Sequence, residues 1–272
     1  MSRGGHVFAR IVLALALIVA IFPVFLCLMN AFKADAEIMN NYFSMPASLY
    51  TAGFEKIIFE KGILLNVLNS LFVTGVTTFS SFIFIPFFSF MIIDHWYSRL
   101  YRVVFVILCA SMFIPRNLIL FPLIKRYYAW NLMNQTGLIL YYTFSPLPES
   151  VFLLVPLFRK AGKSMKEAAM MDGCSYLQYY LLVFYPVCFS FVVAIVSLNC
   201  ISIWNSFFMP LMILNKNPRS WTIPIFIYNF LGENDSQKNL AFATCLLSLM
   251  PMLLVYLFFH RIIIQSMESN FR

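Results

Sequence analysis

The chain has 272 residues, of which 61% are hydrophobic and 11% are charged, and its formal net charge is +8. This composition excludes a soluble globular domain and a disordered segment. We therefore predict an all-α, polytopic membrane protein.

Six apolar segments are each long enough to cross a bilayer, which takes about 20 apolar residues. They are residues 11–32, 67–93, 103–124, 136–158, 181–214 and 240–259. We expect the first to be a retained helix, because Asn30-Ala31-Phe32-Lys33 follows it without a small-residue cleavage site. We expect the third to end near Pro115 and to continue as a re-entrant or interfacial piece, because Arg116 follows inside the run.

The distribution of lysine and arginine predicts the orientation of these segments. Basic residues are densest in the short loops and helix ends that lie in the cytoplasm if the N-terminus is inside. Both termini and residues 159–176 are then expected inside, with residues 33–62 and 215–239 outside. The positive charge thus indicates topology and contact with lipid headgroups. No nucleic-acid partner is expected, because no basic cluster lies on a soluble module.

A charged island at residues 164–173 separates two long apolar runs. Ser164 and Glu167 have the spacing of a capping box, which predicts the start of a short helix that Gly173 ends. Ser175 and Gln178 repeat the spacing and predict a second helix that runs towards Pro186. We expect a helix-turn-helix at the membrane surface that serves as a docking surface for another protein.

The docking surface would be made by four side chains of the first helix. Ala168 and Ala169 give it a small-residue face that another protein can approach closely. Glu167 and Asp172 place charge at its edges.

This island and the sequence after it carry a recognisable signature. Glu167-Ala168-Ala169 is followed by Gly173 and then by Val183, Tyr185 and Pro186. The pattern resembles the signature loop of the permeases of ATP-binding-cassette (ABC) importers. Further matching positions are Asn69-Ser70, Ile114-Pro115, Trp204-Asn205 through Pro210, and Thr222-Ile223-Pro224. Together they resemble the carbohydrate-type permeases related to the maltose transporter, over residues 10–265.

The resemblance implies a type I ABC importer permease fold in a bacterial or archaeal cytoplasmic membrane. It implies a second, related permease subunit as heterodimer partner, two ATPase subunits, and an extracytoplasmic solute-binding protein. Residues 159–180 would be the cytoplasmic coupling loop, with Glu167, Ala168, Ala169, Asp172, Gly173 and Pro186 as its contact residues. The chain itself would need no cofactor, because the partner ATPases use the ATP, and it would catalyse no reaction.

Glu149 is the residue most expected to act on the solute. It lies in the fourth apolar segment, after Pro148, where a carboxylate is costly unless it faces protein or water. Contact with solute, a hydrogen bond to a backbone amide freed near Pro148, and pairing with the companion subunit remain open. The related permeases usually have an apolar or aromatic residue at this position.

Two aromatic groups suit the flat faces of sugar rings. Trp204 and Asn205 would line the substrate path together with Glu149. Trp221, Tyr228 and Phe230 lie in the last external loop, where the resemblance implies contact with the solute-binding protein, and direct contact with solute is the alternative. The tail at residues 265–270 departs from the glycines that related permeases carry.

Other functional classes lack their sequence signals. The chain has no Walker-type phosphate loop and no nucleophile elbow, and its six cysteines show no metal or disulfide spacing. An importer permease for a non-sugar solute, a stand-alone secondary transporter and a membrane-embedded enzyme remain as alternatives. The two halves of the sequence show no convincing repeat, which the secondary-transporter alternative would lead us to expect.

Overall fold

The computed structural model describes residues 3–214, 216–233 and 237–269, and within these ranges all regular structure is helical. The helices are α1 (Arg3–Ala31), α2 (Asp35–Asn40), α3 (Ala52–Glu55), α4 (Ile63–Asp94), α5 (Arg99–Ser111), α6 (Arg116–Ala129), α7 (Gln135–Phe144), α8 (Leu147–Met171), α9 (Tyr176–Gln178), α10 (Tyr185–Trp204), α11 (Phe208–Leu214), α12 (Ile223–Glu233) and α13 (Lys238–Ser269). The segments Lys56–Glu60 and Tyr179–Phe184 are π-helical, and Pro218–Ser220 is a 3-10 turn.

Four helical stretches of the described chain are long and apolar enough to cross a membrane. They are Phe8–Ala31, Ile63–Asp94, Gln135–Arg159 and Tyr176–Trp204, and the shorter stretch Lys238–Leu253 is also apolar. The four overlap the first, second, fourth and fifth predicted segments. The sixth predicted segment falls in α13, whose side chains beyond Leu253 lie mostly outside the described part. The boundaries of the six spans therefore stay a prediction.

Three predicted segments are interrupted in the structure. The fourth has a turn at residues 145–146, between α7 and α8. The third is divided between α5 and α6, because the chain leaves the helix after Ser111 and Pro115 caps the start of α6. Proline lacks the N–H that a continuing helix requires at this point. The fifth is divided at residues 205–207, between α10 and α11.

The described residues form two compact units. One contains Met1–Val67 and Ile223–Leu253, and the other contains Leu68–Thr222 and Leu254–Arg272.

The first unit has a small apolar core and one long exposed helix. Residues 8–25 of α1 are all exposed, although this is the most hydrophobic stretch of the chain. The C-terminal end of α1 is held by buried polar groups. The Lys33 ammonium group, which is fully buried, donates to Asn30 Oδ1 and to the Asn41 carbonyl, each at 3.1 Å. The Asn239 side-chain amide donates to the carbonyls of Ala31 and Lys33, which satisfies carbonyls that the helix end leaves free.

The second unit has a larger core, in which α4, α8 and α10 pack on one another. Its buried side chains include Ile85, Phe90, Val151, Leu154 and Val192. Several buried hydroxyls of these helices donate to the carbonyl four residues earlier, as Thr77 does to Val73 at 2.7 Å. A hydroxyl satisfied within its own helix lets a polar residue lie in an apolar environment.

Candidate functional site

The predicted coupling loop is the end of one long helix followed by a tight turn. Helix α8 runs without interruption from Leu147 to Met171, so the expected separate helix starting at Ser164 is wrong. The reason is that residues 157–172 contain no proline, and Gly162 alone costs a helix only about 1 kcal/mol. Ser164 and Glu167 have capping spacing, but inside a continuous helix there are no free N–H groups for them to cap.

Gly173 ends α8 in the left-handed conformation, with φ of +79°. The Gly173 N–H donates to the Met170 carbonyl at 3.1 Å, and the Cys174 N–H donates to the Ala169 carbonyl at 3.0 Å. These two bonds form a Schellman motif, which closes a helix and turns the chain sharply. The predicted stop at Gly173 is therefore present.

The second half of the loop begins with the predicted capping box. Ser175 Oγ accepts from the Gln178 N–H, and Gln178 Oε1 accepts from the Ser175 N–H at 2.8 Å. The π-helical turn Tyr179–Phe184 follows, and Pro186 lies in the first turn of α10. The helical stretch is continuous from Tyr176 to Trp204, so Pro186 removes one hydrogen bond inside it, and the π-helical turn lies next to the missing N–H.

The exposed face of the loop differs in one residue from the predicted docking face. Glu167, Ala168 and Asp172 are exposed, but Ala169 is only 6% exposed and packs in the core of the unit. Consecutive residues of a helix are about 100° apart, so Ala168 and Ala169 cannot both face a partner. The small-residue face therefore consists of Ala168 alone.

A cavity of about 660 Å³ lies beside this loop. Glu167 and Met170 line it on one side, and the residues after α4, including Trp96 and Tyr97, line it on the other. Asp94, Arg159 and Lys166 place charge on its wall. The Arg159 guanidinium lies 4.6 Å from the centre of the Trp96 ring.

Glu149 lies in the first turn of α8 and not in the middle of a helix. Ser145 and Pro146 form a turn between α7 and α8, which interrupts the helical hydrogen bonding within the stretch Gln135–Arg159. A carboxylate is stabilised near a helix N-terminus by the macrodipole. The Glu149 side chain is exposed and lines two cavities of about 220 and 190 Å³, which share Tyr141, Ser145 and Glu149.

The larger of these two cavities has a polar wall of hydroxyl and amide groups. Its polar lining residues are Tyr141, Tyr142, Ser145, Glu149, Asn199, Ser202 and Ser206. The Tyr142 hydroxyl donates to Ser206 Oγ at 2.6 Å, which joins α7 to the break between α10 and α11. The Asn199 side-chain nitrogen is buried and has no hydrogen-bond partner within the described residues.

The predicted pair Trp204 and Asn205 does not line this cavity. Trp204 is only 6% exposed, and the Asn205 amide donates to the Ile201 carbonyl at 2.9 Å, at the end of α10. Sequence reasoning missed Asn199, Ser202 and Ser206. Asn199 and Ser202 are three residues apart in α10, which places them on one face of that helix and was the signal available for finding them. Ser206 lies in the break after α10, where helical spacing gives no signal.

The predicted binding-protein contacts fall in both units. In the second unit, the Trp221 carbonyl accepts from the Asn69 side-chain amide at 3.0 Å. In the first unit, Tyr228 is 59% exposed, but Phe230 is 5% exposed and stacks on Phe226 with ring centres 5.5 Å apart. Phe230 is therefore a core residue, and its ring is not presented to a partner.

The described residues contain no group of three or more His, Cys, Asp or Glu side chains that could hold a metal ion. The tail at residues 265–270 lies outside the side chains that the structure describes.

Known proteins resemble this chain along almost its whole length, although no protein-family model matches it. A multiple sugar-binding transport system permease of Streptococcus mutans is 26% identical, over 99% of this chain and 98% of its own. A probable permease for starch degradation products of Thermoanaerobacterium thermosulfurigenes is 26% identical over 92% of this chain and 90% of its own. A melibiose/raffinose/stachyose import permease of Bacillus subtilis is 25% identical over 96% of this chain and 95% of its own.

The fold also matches a solved transporter. A chain of a bacterial ABC transporter involved in the import of the acidic polysaccharide alginate has a TM-score of 0.79, with 21% identity over 96% of this chain and 98% of that one. This likeness shows the fold, and the sequence relatives are permease subunits. The chain is accordingly an all-α, multi-pass membrane protein with the fold of an ABC importer permease, similar throughout to the permeases of sugar-transport systems.

Proposed function

We propose that this permease forms half of the translocation path for an oligosaccharide, and that the solute lies against the cavity lined by Tyr142, Glu149 and Asn199. The observation that carries the proposal is the density of hydroxyl and amide groups around that cavity. A sugar offers many hydroxyl groups, which need both donors and acceptors, and the cavity provides both. The relatives are named for sugars of several kinds.

The cavity lies where two apolar segments are broken. Residues 145–146 interrupt the fourth segment and residues 205–207 interrupt the fifth. Backbone groups that lose their helical partners at such interruptions need other partners, which protein or a wet cavity supplies and lipid does not. These two breaks therefore favour a hydrated path over a lipid-facing surface.

A second permease subunit would complete the path. A cavity of about 220 Å³ is smaller than the roughly 300–1,000 Å³ of typical ligand pockets, so one chain is too small to enclose an oligosaccharide. The exposed apolar face of α1 would be covered by lipid or by that subunit. We propose a related chain in this place, which makes the importer a heterodimer in the membrane.

The ATPase subunits would dock at residues 159–180, on the cytoplasmic side. The support is an exposed face of Glu167, Ala168 and Asp172, next to a turn that Gly173 fixes. Closure of the ATPases would push this segment and reopen the path towards the other side. A solute-binding protein would deliver the sugar at the outer face, with Trp221 and Tyr228 as the contacts.

Transport with the native partners tests the proposal. The tagged chain is purified from its own membrane with the proteins that remain bound, reconstituted into proteoliposomes, and given ATP. Radiolabelled raffinose, diacetylchitobiose and an arabino-oligosaccharide are the solute probes. We expect ATP-dependent uptake of at least one sugar, with two ATPase chains and one related permease per complex.

Two results would contradict the proposal. Uptake that follows a proton gradient without ATP would indicate a secondary transporter. Co-purified ATPases whose hydrolysis responds to none of these sugars but does respond to an amino acid or a peptide would indicate a non-sugar importer.

A further inference from the structure

Asp94, the last residue of α4, has a buried carboxylate that contacts both halves of the coupling loop, residues 159–180. Its side chain is 4% exposed. Asp94 Oδ1 lies 2.6 Å from the ammonium group of Lys166, which belongs to α8 before the Gly173 turn. Asp94 Oδ2 accepts a hydrogen bond at 2.7 Å from the hydroxyl of Tyr176, which lies after the turn. The two oxygens of one carboxylate thus bind opposite sides of the same turn.

The two partners of Asp94 also contact each other. The Lys166 ammonium group lies 5.3 Å from the centre of the Tyr176 ring, within the range of a cation–π contact. Phe90, one turn earlier on α4, packs against the Tyr176 ring with ring centres 5.4 Å apart. Asp94, Lys166 and Tyr176, which we call the Asp94 clamp, therefore contact one another in all three pairs. The His95 ring lies beside them, with Nδ1 3.6 Å from Asp94 Oδ2.

The position of Asp94 is unfavourable without these partners. A carboxylate at the C-terminal end of a helix is repelled by the macrodipole, and burial adds the cost of removing a charge from water. A buried charge is tolerated when it is paired and hydrogen-bonded, and Lys166 and Tyr176 provide both kinds of contact. The Lys166 side chain is 35% exposed, so loss of the pair would cost the ammonium group less than it would cost the more buried carboxylate.

We propose that Asp94 is the positioning residue that couples α4 to the ATPase-docking segment. The inference rests on the proposed function, because it assigns the path by which a push on residues 159–180 reaches a membrane helix. The clamp fixes the two sides of the Gly173 turn relative to each other. It also ties both sides to the end of α4, so the turn cannot be displaced without moving α4.

Other contacts would hold the coupling loop together if the Asp94 clamp were lost. Loss of the clamp would therefore weaken the link between the loop and α4 without unfolding the loop. The Schellman bonds at Gly173 and the capping box at Ser175 are local and do not involve Asp94. Phe90 links the clamp to the apolar core, but that core also contains side chains of α4 and α8, such as Ile85 and Val151, that are not part of the clamp. The segment would keep its shape and its ATPase-docking face, but its link to α4 would be weakened.

A set of four variants tests the clamp, with the permease in complex with its native partners. Asp94→Asn keeps the size of the side chain and removes its charge, and Tyr176→Phe removes only the hydroxyl group. Lys166→Met removes the ion pair, while Lys166→Arg restores it. Glu60→Gln, at an exposed carboxylate of the first unit, is the matched control.

The first readout is hydrogen exchange at the amides of residues 164–180. Asp94→Asn and Lys166→Met should raise exchange there by about tenfold, the change expected when a charged hydrogen bond is lost. Lys166→Arg and Glu60→Gln should match the parent. Unchanged exchange in Asp94→Asn would show that the clamp holds nothing in place.

The second readout is the response of the transport cavity to ATP. A single cysteine replaces Ser202 on the cavity wall, in a background without the six native cysteines, and its maleimide labelling is measured with and without MgATP and vanadate. In Asp94→Asn and Lys166→Met, the labelling change per ATP hydrolysed should fall about tenfold at normal complex yield, and Lys166→Arg should restore it. A merely structural role would lower complex yield and leave this ratio unchanged.

The outcomes separate the inference from the proposed function. An unchanged labelling ratio in both uncoupling variants, with intact complexes, overturns the clamp while the importer stands. If the parent chain itself retains no ATPase subunits, the proposed function fails, and the coupling role of Asp94 fails with it even if exchange rises.

Discussion

Replacing Gly173 should loosen the coupling turn in proportion to the cost of a positive φ at the new residue. Gly173 has φ of +79°, and a Cβ atom built there meets no other atom within 4 Å. The cost of substitution is therefore a backbone cost with no clash. For alanine it is about 1–2 kcal/mol, the usual penalty for a left-handed L-residue. Asparagine tolerates this conformation better, and β-branched valine tolerates it worse.

These costs predict an order among three variants. A cost of about 1–2 kcal/mol reduces the population of the closed turn by a factor of about 5–30. The population of the closed turn should stay near the parent value in Gly173→Asn. It should fall by this factor in Gly173→Ala and by more in Gly173→Val. All three should insert in the membrane normally, because the turn lies outside the apolar core.

Two measurements follow the turn and its function. Hydrogen exchange at residues 173 and 174 reports the two Schellman bonds directly, because their amides are the donors. Co-purified ATPase and ATP-dependent sugar uptake report coupling. If Gly173→Val equals Gly173→Asn in exchange, ATPase binding and uptake, the conformational argument is refuted.

Three further predictions concern the cavity and the topology. If the charge of Glu149 helps select the solute, Glu149→Gln should change solute-dependent ATP hydrolysis at normal complex yield. If the residue instead satisfies a buried polar group, Glu149→Leu should destabilise the complex by about 1–3 kcal/mol and so lower its yield. Full transport by both variants would contradict both roles. Tyr142→Phe should remove the hydrogen bond to Ser206, which costs about 1 kcal/mol, and should raise the apparent KM for sugar. Ser206→Ala removes the same hydrogen bond, so the double variant should show no larger effect than either single variant. Additive effects would show that the two residues are not coupled. Impermeant thiol reagents should label a cysteine at Ser44 but not one at Ser164 in intact cells, and labelling at Ser164 without permeabilisation would reverse the orientation derived from the charges.

The sequence predicts features that a single residue or a short spacing determines. Gly173 is the residue type that fits a positive φ, so its turn follows from its position after a helix-forming stretch. The Ser175 and Gln178 capping box forms because a turn precedes it. The same spacing at Ser164 and Glu167 fails because the preceding residues continue the helix. Capping residues act only where a helix begins, and local spacing does not reveal this.

Features that depend on the packing of distant residues could not be derived in the same way. The spacing of Asn199 and Ser202 places them on one face of the largely apolar helix α10, but it does not show that this face lines a cavity while Trp204 is buried. Asp94 is separated from Tyr176 by 82 positions, and no local pattern connects them. The interruption before Glu149 could have been predicted from the sequence, because Pro146 and Pro148 are typical of the first turn of a new helix.

Helix α8 connects the cavity to the coupling segment and is a second path for movement besides the Asp94 clamp. Glu167 follows Glu149 by 18 residues, which is about five turns and roughly 27 Å along the axis. A continuous helix carries a displacement of one end to the other unless it bends between them. Pro156 is the place where α8 could bend, because it lacks the N–H that would bond the Phe152 carbonyl. Under the proposed function, a push at the Gly173 turn would therefore reach α4 directly through Asp94 and would reach Glu149 only through a helix that Pro156 weakens. The two paths would then transmit the push to different extents, because only the second crosses a proline.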